Sequence, residues 1–404
     1  MALSLGHFLP MESSPKISFE DTETAFAYKS DAALKKANFI FSLVNHPWIS
    51  SLATASVKAS LSLRLPVEGL IKKTAFDHFC GGENIEQATR VVEELGQFHV
   101  GAILDYSVEG GDDEAGFDAT AEETMRTIEQ AHKSANIPFC VFKPTGLASA
   151  ILLTKIQAGE TLTEEEQKAY ERAFNRFDKI CAKGYEYNLP ILIDAEDSWY
   201  QNPIDKMALE LMKKYNKERA IVYNTYQLYR TAGLPNLRNH FHEAVMNNYF
   251  FGAKLVRGAY MEKERERAAK NGYESPIHPT KEGTDDAFNK ALAFCIDNKQ
   301  RISVMCGSHN DYSNYYLTVL MEKHSMQNND PRVWFAQLYG MSDNISFNLA
   351  KAGYNVVKYL PYGPVRSVMP YLLRRAEENT SVAGQSSREL TLIKKELSRR
   401  RNNQ

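Results

Sequence analysis

Two hydrophobic rhythms divide the chain. From about residue 20 to residue 98, apolar positions recur three and four apart in ALKKANFIFSLV, ISSLATASVKASLSL and ENIEQATRVVEELGQF, a spacing that predicts amphipathic helices. Beyond residue 98 short apolar runs alternate with polar, helix-patterned stretches. The runs are GAILDYS (101–107), FCVFKP (139–144), PILIDAED (190–197), AIVYNTY (220–226), GAKLVRGAY (252–260), ISVMCGSHN (302–310), VWFAQLYG (333–340) and NVVKYLPYG (355–363). Near-continuous apolar runs of strand length are what parallel strands buried on both faces look like. About eight βα units in roughly 270 residues have the size and rhythm of an α/β, (β/α)8 TIM-like barrel, in which functional residues sit at the strand C-terminal ends. An open doubly wound sheet is the alternative, weakened because no GxG follows the first strand and no GxxxxGK[ST] occurs. The pattern therefore divides the chain into an N-terminal helical region (1–98), a barrel (99–390) and a basic C-terminal tail (391–404).

Composition narrows the classes. A chain of 404 residues that is 43% hydrophobic can bury a large core. A formal net charge of −2 and a pI near 6.6 leave no electrostatic footprint for nucleic acid. Cys80, Cys140, Cys181, Cys295 and Cys306 are odd in number, widely spaced and without CxxC, so neither a disulfide framework nor a zinc site is expected, and a reducing compartment fits. The first residues lack a basic n-region and turn acidic where a presequence would be arginine-rich, which reads as untargeted. No window approaches the ~18 uninterrupted apolar residues of a membrane span, so membrane contact is expected to be peripheral.

The strand ends carry a strongly polar set: Asp105 with Glu109, Lys143, Asp194 with Glu196, Asn224 with Gln227, Lys254 and Arg257 with Tyr260, Ser308 with His309, Gln337, and Tyr359. Lys143 can hold an anion, form a Schiff base or sit in a structural ion pair. His309 reads as a hydrogen-bonding side chain, since the ten histidines show no HExxH and the HFHE at 240–243 points its two histidines to different helix faces. In MPYLLRRAEEN (369–379), Tyr371, Arg374, Arg375 and Glu378 share one helical stripe. Taken alone, that stripe reads as a solvated face.

At KLVRGAYMEKERERA (254–268) and KYLPYGPVRSVMPYLLRRAEEN (358–379) the sequence closely resembles the proline dehydrogenase family of FAD-dependent enzymes. The resemblance runs from about residue 90 to 385 and includes LIDAED, NTYQLY, GSHN and AQLYGM. It implies a distorted barrel whose last helix lies over the strand ends, and the oxidation of L-proline to Δ1-pyrroline-5-carboxylate by hydride transfer to FAD. It further implies a membrane quinone as acceptor and a separate pyrroline-5-carboxylate dehydrogenase for the next step. The implied location is cytoplasmic and peripheral at the inner membrane, or the mitochondrial inner membrane in a eukaryote. Hydroxyproline dehydrogenase on the same frame is the alternative; Tyr359 favours proline, because the rival tends to carry a smaller residue there.

The resemblance also assigns residues. Arg374, Arg375 and Lys143 would hold the substrate carboxylate, Tyr359 and Tyr371 would wall the ring, and Asp194 matches an active-site carboxylate. Glu378 lies on the same stripe, and Glu109 matches a glutamate that gates the site by pairing with an arginine. For the flavin, Lys254, Val256, Gly258, Ala259 and Tyr260 would run along the isoalloxazine and its linker. Asn224, Gln227, Thr284, Ser308, His309, Asn310, Gln337 and Leu338 complete the implied contacts. Multifunctional bacterial members have arginine at Lys254 and glutamine at Asn224, so NTYQ and KLVRGAY look like the monofunctional, mitochondrial-type branch.

Overall fold

The computed structural model describes residues 17–44, 69, 72–107, 113–373 and 385–403. All eight apolar runs form strands: β1 Val100–Tyr106, β2 Cys140–Phe142, β3 Ile191–Ile193, β4 Val222–Gln227, β5 Phe251–Val256, β6 Ile302–Gly307, β7 Val333–Leu338 and β8 Val356–Tyr362. They pair in parallel from β2 round to β8, and β1 returns to β8 with Val100 opposite Val356 and Tyr106 opposite Tyr362. The result is a nearly closed TIM-like barrel, and the doubly wound alternative falls with the β1–β8 pairing. Among the described residues β1 and β2 share no ladder register. Their seam is bridged by Ala102 N–H to the Asn136 carbonyl (2.8 Å) and by Lys143 Nζ to Asp105 Oδ1 (2.6 Å). Strands β2 and β3 are shorter than the apolar runs that predict them. Pro144, which has no N–H to donate, opens a 3₁₀ turn directly after Lys143.

The period of two sorts side chains between two cores. Ile103, Val141, Leu192, Tyr223, Met305, Ala336 and Val357 fill the barrel interior. Their chain neighbours, such as Ala102, Leu104, Ala253, Leu255, Cys306 and Phe335, face outward under the helices.

The N-terminal helix Asp31–Val44 and the C-terminal helix Gln385–Asn402 pack with residues 365–372 around Phe26, Phe41, Phe76, Phe79, Val368, Leu372, Leu390 and Ile393. Residue 391 thus lies inside a continuous helix. Its basic residues are engaged by neighbours: Arg400 reaches Asp31 (2.7 Å) and the carbonyls of Phe26 and Lys29, and Arg399 and Arg400 both clasp the buried Glu396. Apolar positions at 390, 393 and 397 explain why this segment folds back instead of remaining a solvated tail. The expected helix over ISSLATASVKASLSL lies outside the described residues.

A buried charge cluster ties these terminal segments to the barrel. Lys358 of β8 points outward and is fully buried; its Nζ meets Asp343 Oδ1 (2.8 Å) and the Met341 carbonyl (2.6 Å). The second Asp343 oxygen accepts from Lys29 Nζ (2.7 Å) and the Tyr28 hydroxyl (2.9 Å). Burial alone would raise the Asp343 pKa, but the two ammonium groups outweigh it and hold the carboxyl well below its ordinary value. Removing this carboxylate leaves two cations without their anion. Asp343→Ala is expected to cost about 3–5 kcal/mol of unfolding free energy, measured by chemical denaturation.

Candidate active site

Inward-facing polar side chains cap the apolar interior at the C-terminal end of the strands. Asp105, Lys143, Asp194, Lys254 and Tyr359 each continue the inward-facing series of their strand by one alternation. Lys254 Nζ donates to Asp194 Oδ1 (2.5 Å) and to the Tyr359 hydroxyl (2.7 Å), and lies 4.6 Å from the centre of the Tyr359 ring. The Tyr359 hydroxyl also lies 3.3 Å from the same Asp194 oxygen. Lys143 Nζ is held by Asp105 Oδ1 (2.6 Å) and stands 3.6 Å from Asp194 Oδ2. Two cations and two anions therefore interlock across β1, β2, β3 and β5.

Burial opposes the charges of Asp194 and Lys143, so their pairings decide their protonation states. Desolvation would raise the Asp194 pKa, yet Lys254 and Lys143 bring it below the usual carboxylate value. Desolvation would lower Lys143, and Asp105 and Asp194 reverse this, so it stays an ammonium. Burial, reinforced by Asp194, pushes the Tyr359 hydroxyl far above its ordinary pKa and keeps it a neutral donor. The two lysines differ in access: the Lys143 side chain is 27% exposed, that of Lys254 only 6%. Lys143 faces the mouth, whereas Lys254 is sequestered.

A second group of predicted residues gathers where β5, β6 and β7 end. Val256, Gly258, Ala259 and Tyr260 form the connection into the helix Met261–Asn271. Gly258 has φ +132°, and a Cβ there would lie 2.4 Å from the Tyr229 ring, so a side chain is excluded on two counts. Arg257, a strand-end residue without an assigned role in the sequence, joins this group. Its guanidinium reaches Asp285 (2.8 Å), Ser308 Oγ (2.8 Å) and Ser313 Oγ (2.9 Å). It thereby fixes Ser308 and the helix Lys281–Asp297, which carries the buried Thr284. Asn310 caps the helix Asp311–Lys323 by accepting from Ser313 N–H (2.9 Å), and His309 Nδ1 lies 2.9 Å from Ser342 Oγ. Leu338 ends β7 and packs on the cluster that contains the buried Tyr371.

Two expected cofactor contacts point elsewhere. Asn224 falls on the outward phase of β4, and its Nδ2 donates to Asp205 Oδ1 (2.8 Å) on the helix Gln201–Tyr215. Gln337 is likewise outward on β7, bonded to the Ser308 carbonyl (3.1 Å) and Ser346 Oγ (2.8 Å). Both brace the layer behind the strand ends. Gln227 donates to the Glu196 carbonyl (2.6 Å) and so holds the loop after β3. Arg374, Arg375, Glu378 and Glu109 lie outside the described residues.

Several contributors had no role assigned from sequence. Asp105, though visible at a strand end, proves to be the partner of Lys143. Asp205 and Gln201 sit in the helix Gln201–Tyr215 as buried polar positions among Ile204, Ala208 and Met212. A polar residue on an otherwise apolar stripe is the signal that could have found them. Glu264, fully buried, accepts from Ser198 N–H (2.7 Å) and Ser198 Oγ (2.5 Å) and pins the loop that follows Asp194.

A family model described as proline dehydrogenase matches residues 88–388. Proline dehydrogenase 1, mitochondrial, of Dictyostelium discoideum is 34% identical over 94% of this chain and 74% of its own. The carbapenem antibiotics biosynthesis protein CarD of Pectobacterium carotovorum is 34% identical over 80% of this chain and 83% of its own. Human proline dehydrogenase 1, mitochondrial, is 39% identical over 63% of this chain and 44% of its own. Among solved structures, proline utilization A from Bdellovibrio bacteriovorus inactivated by N-propargylglycine superposes with a TM-score of 0.71 at 20% identity, over 92% of this chain and 40% of that one. The Bradyrhizobium japonicum protein of the same name gives 0.66 at 19% identity, over 93% and 43%. The chain thus spans about two-fifths of those structures, and at these identities they establish the shared fold.

Glu196 gives this site a pH signature. It accepts from Thr145 N–H (2.9 Å) and Thr145 Oγ1 (2.7 Å), and burial pushes its pKa up to about 7. A carboxyl raised in the folded state contributes stability that is complete below its unfolded pKa and is lost as pH rises through about 7. Glu196→Gln should therefore gain about 2–3 kcal/mol on the wild type between about pH 5 and about pH 8, measured as unfolding free energy at each pH.

Proposed function

The chain belongs to the proline dehydrogenase family, and from that membership we propose that it oxidises L-proline to Δ1-pyrroline-5-carboxylate with FAD as its cofactor. The observation that carries this reading is the interlocked Lys143, Lys254, Asp194 and Tyr359 at the barrel mouth. Lys143 is the lysine open to the mouth, and it meets the substrate carboxylate together with Arg374 and Arg375. Charge-assisted and partly bidentate bonds of this kind fix the position and the orientation of the anion. Asp105 holds Lys143 charged and in place. The Tyr359 ring, anchored through its hydroxyl, and Tyr371 wall the proline ring, Glu109 gates the site by pairing with an arginine, and Glu378 belongs to the same stripe as the two arginines. That positioning supplies a large share of the rate acceleration, because the C5 carbon is presented in one orientation.

The residues present fit the cofactor. Lys254 spends two of its three N–H donors on Asp194 and Tyr359 and keeps a third in a dry, cationic position. Arg257 adds a cationic group, Ser308 and Thr284 add hydroxyls and His309 an imidazole, and Gly258 lets the connection after β5 pass directly against the Tyr229 ring. FAD, when bound there, supplies the acceptor for the two electrons that leave C5 with its hydrogen. Asn224 and Gln337 act from behind the strands, consistent with their outward-facing partners. Family membership further supports a quinone acceptor reached by peripheral contact at an inner membrane, with a separate pyrroline-5-carboxylate dehydrogenase for the following step. Among the described residues no helix is long and apolar enough to cross a membrane.

The purified protein is expected to be yellow, with absorbance near about 450 nm that L-proline bleaches under anaerobic conditions. A colourless protein, or one whose flavin proline leaves oxidised, overturns the reading. The ratio of kcat/KM for L-proline to that for trans-4-hydroxy-L-proline is expected to favour proline, and the reverse order would reassign the substrate. Arg374→Met and Arg375→Met should each raise KM for proline by about 10- to 100-fold with flavin retained, the loss of a hydrogen bond to a charged group. Wild-type kinetics in both variants would return that helical stripe to a solvated face.

A further inference from the structure

His309 is held from outside the barrel. The loop that joins β7 to the helix Asp343–Lys351 passes beneath it on a constrained route. Gly340 has φ +78°, and a Cβ there would lie 2.3 Å from the His78 carbonyl oxygen. The Met341 carbonyl is tied to Lys358 Nζ (2.6 Å). Ser342 then adopts the left-handed conformation, φ 52° and ψ 44°, which is uncommon for a residue with a side chain and carries a cost in strain. Two bonds offset that cost. The Ser342 N–H donates to Glu389 Oε2 (3.0 Å), and its hydroxyl meets His309 Nδ1 (2.9 Å).

Glu389 belongs to the terminal helix Gln385–Asn402, which packs its apolar face on the N-terminal segments and residues 365–372. The preceding residue of that helix, Arg388, forms an ion pair with Asp311, two positions beyond His309 at the start of the following helix. Adjacent side chains of one helix therefore grip the two elements that flank His309. One fixes the chain that carries the imidazole; the other fixes the hydroxyl that sets its ring. Glu389 is itself buried, and its carboxyl accepts from a backbone N–H of a strained loop.

We propose that Glu389 is a positioning residue of the cofactor site, acting through Ser342 to set the orientation of His309. This rests on the reading of His309 as a flavin contact. The terminal helix is then a functional part of the site that the barrel alone cannot supply.

The test uses the full-length holoprotein and three variants, Glu389→Ala, Glu389→Gln and Ser342→Ala. One readout is the ring nitrogen chemical shifts of 15N-labelled His309, which report its hydrogen bonding whether or not flavin is bound. The other is the FAD dissociation constant and visible circular dichroism after reconstitution. Loss of one net hydrogen bond predicts FAD binding weakened by about 10-fold in Glu389→Ala and Ser342→Ala. The His309 shifts and the visible band should move in both. Glu389→Gln should restore near-wild-type values, because its amide oxygen still accepts the Ser342 N–H. Unchanged His309 shifts in Ser342→Ala overturn the proposal, even where Glu389→Ala fails to fold. Failure of Glu389→Gln to rescue overturns the hydrogen-bond route. His309→Ala separates the two layers. If it leaves FAD affinity and spectrum untouched, the flavin assignment of His309 falls. If it weakens FAD while Glu389→Ala does not, only the positioning role of Glu389 falls.

Discussion

The charges inside the barrel must neutralise one another, and the mouth is organised by that constraint. Lys254 is nearly inaccessible, and a lone ammonium there would carry a desolvation cost of several kcal/mol. Asp194 answers it and is itself answered a second time by Lys143, which Asp105 holds from β1. Because these four side chains come from four strands, the charge balance exists only when the barrel is closed. The Lys143–Asp105 pair also bridges the seam where β1 and β2 share no ladder, so one interaction serves both closure and electrostatics. Removing any one member strands a charge in a poorly solvated place.

A second cluster repeats the principle on the outer face. Asp343 neutralises Lys358 from β8 and Lys29 from the N-terminal segment, and Glu389 of the terminal helix lies close enough that Asp343 contributes to raising its pKa. Burial is the larger cause of that rise. The outer cluster borders the β7 loop, whose serine touches the histidine after β6. Segments remote in sequence, near residues 29, 309, 342 and 389, are thus mechanically joined.

Much of the architecture was legible in the chain. Each apolar run became a strand, because runs such as GAILDY must satisfy two apolar surroundings at once, the interior through Ile103 and the helix layer through Ala102 and Leu104. The convergence of Lys143, Asp194, Lys254 and Tyr359 was also legible as strand-end polar residues. Their difference in access was not, since Lys143 and Lys254 both stand at the ends of apolar runs and only the closed barrel sequesters Lys254. In sequence the basic C-terminal residues 391–404 read as a tail separate from the barrel. They are instead a packed helix, because Leu390, Ile393 and Leu397 fall on one face whose partner surface lies more than three hundred residues away in sequence, on the helix Asp31–Val44.

By itself the sequence determined the βα rhythm, the number of strands and the chemical types at their ends, since these follow from local periodicity. It did not determine which strand-end side chains face the mouth. Asn224 and Gln337 belong to the same short motifs as true interior residues, yet the one-residue phase of each strand turns them toward the helices. That phase depends on where the ladder begins, and the ladder is set by neighbouring strands. Only the closed barrel therefore decided which polar groups meet, and only the packing of the two chain ends decided what holds His309 beside them.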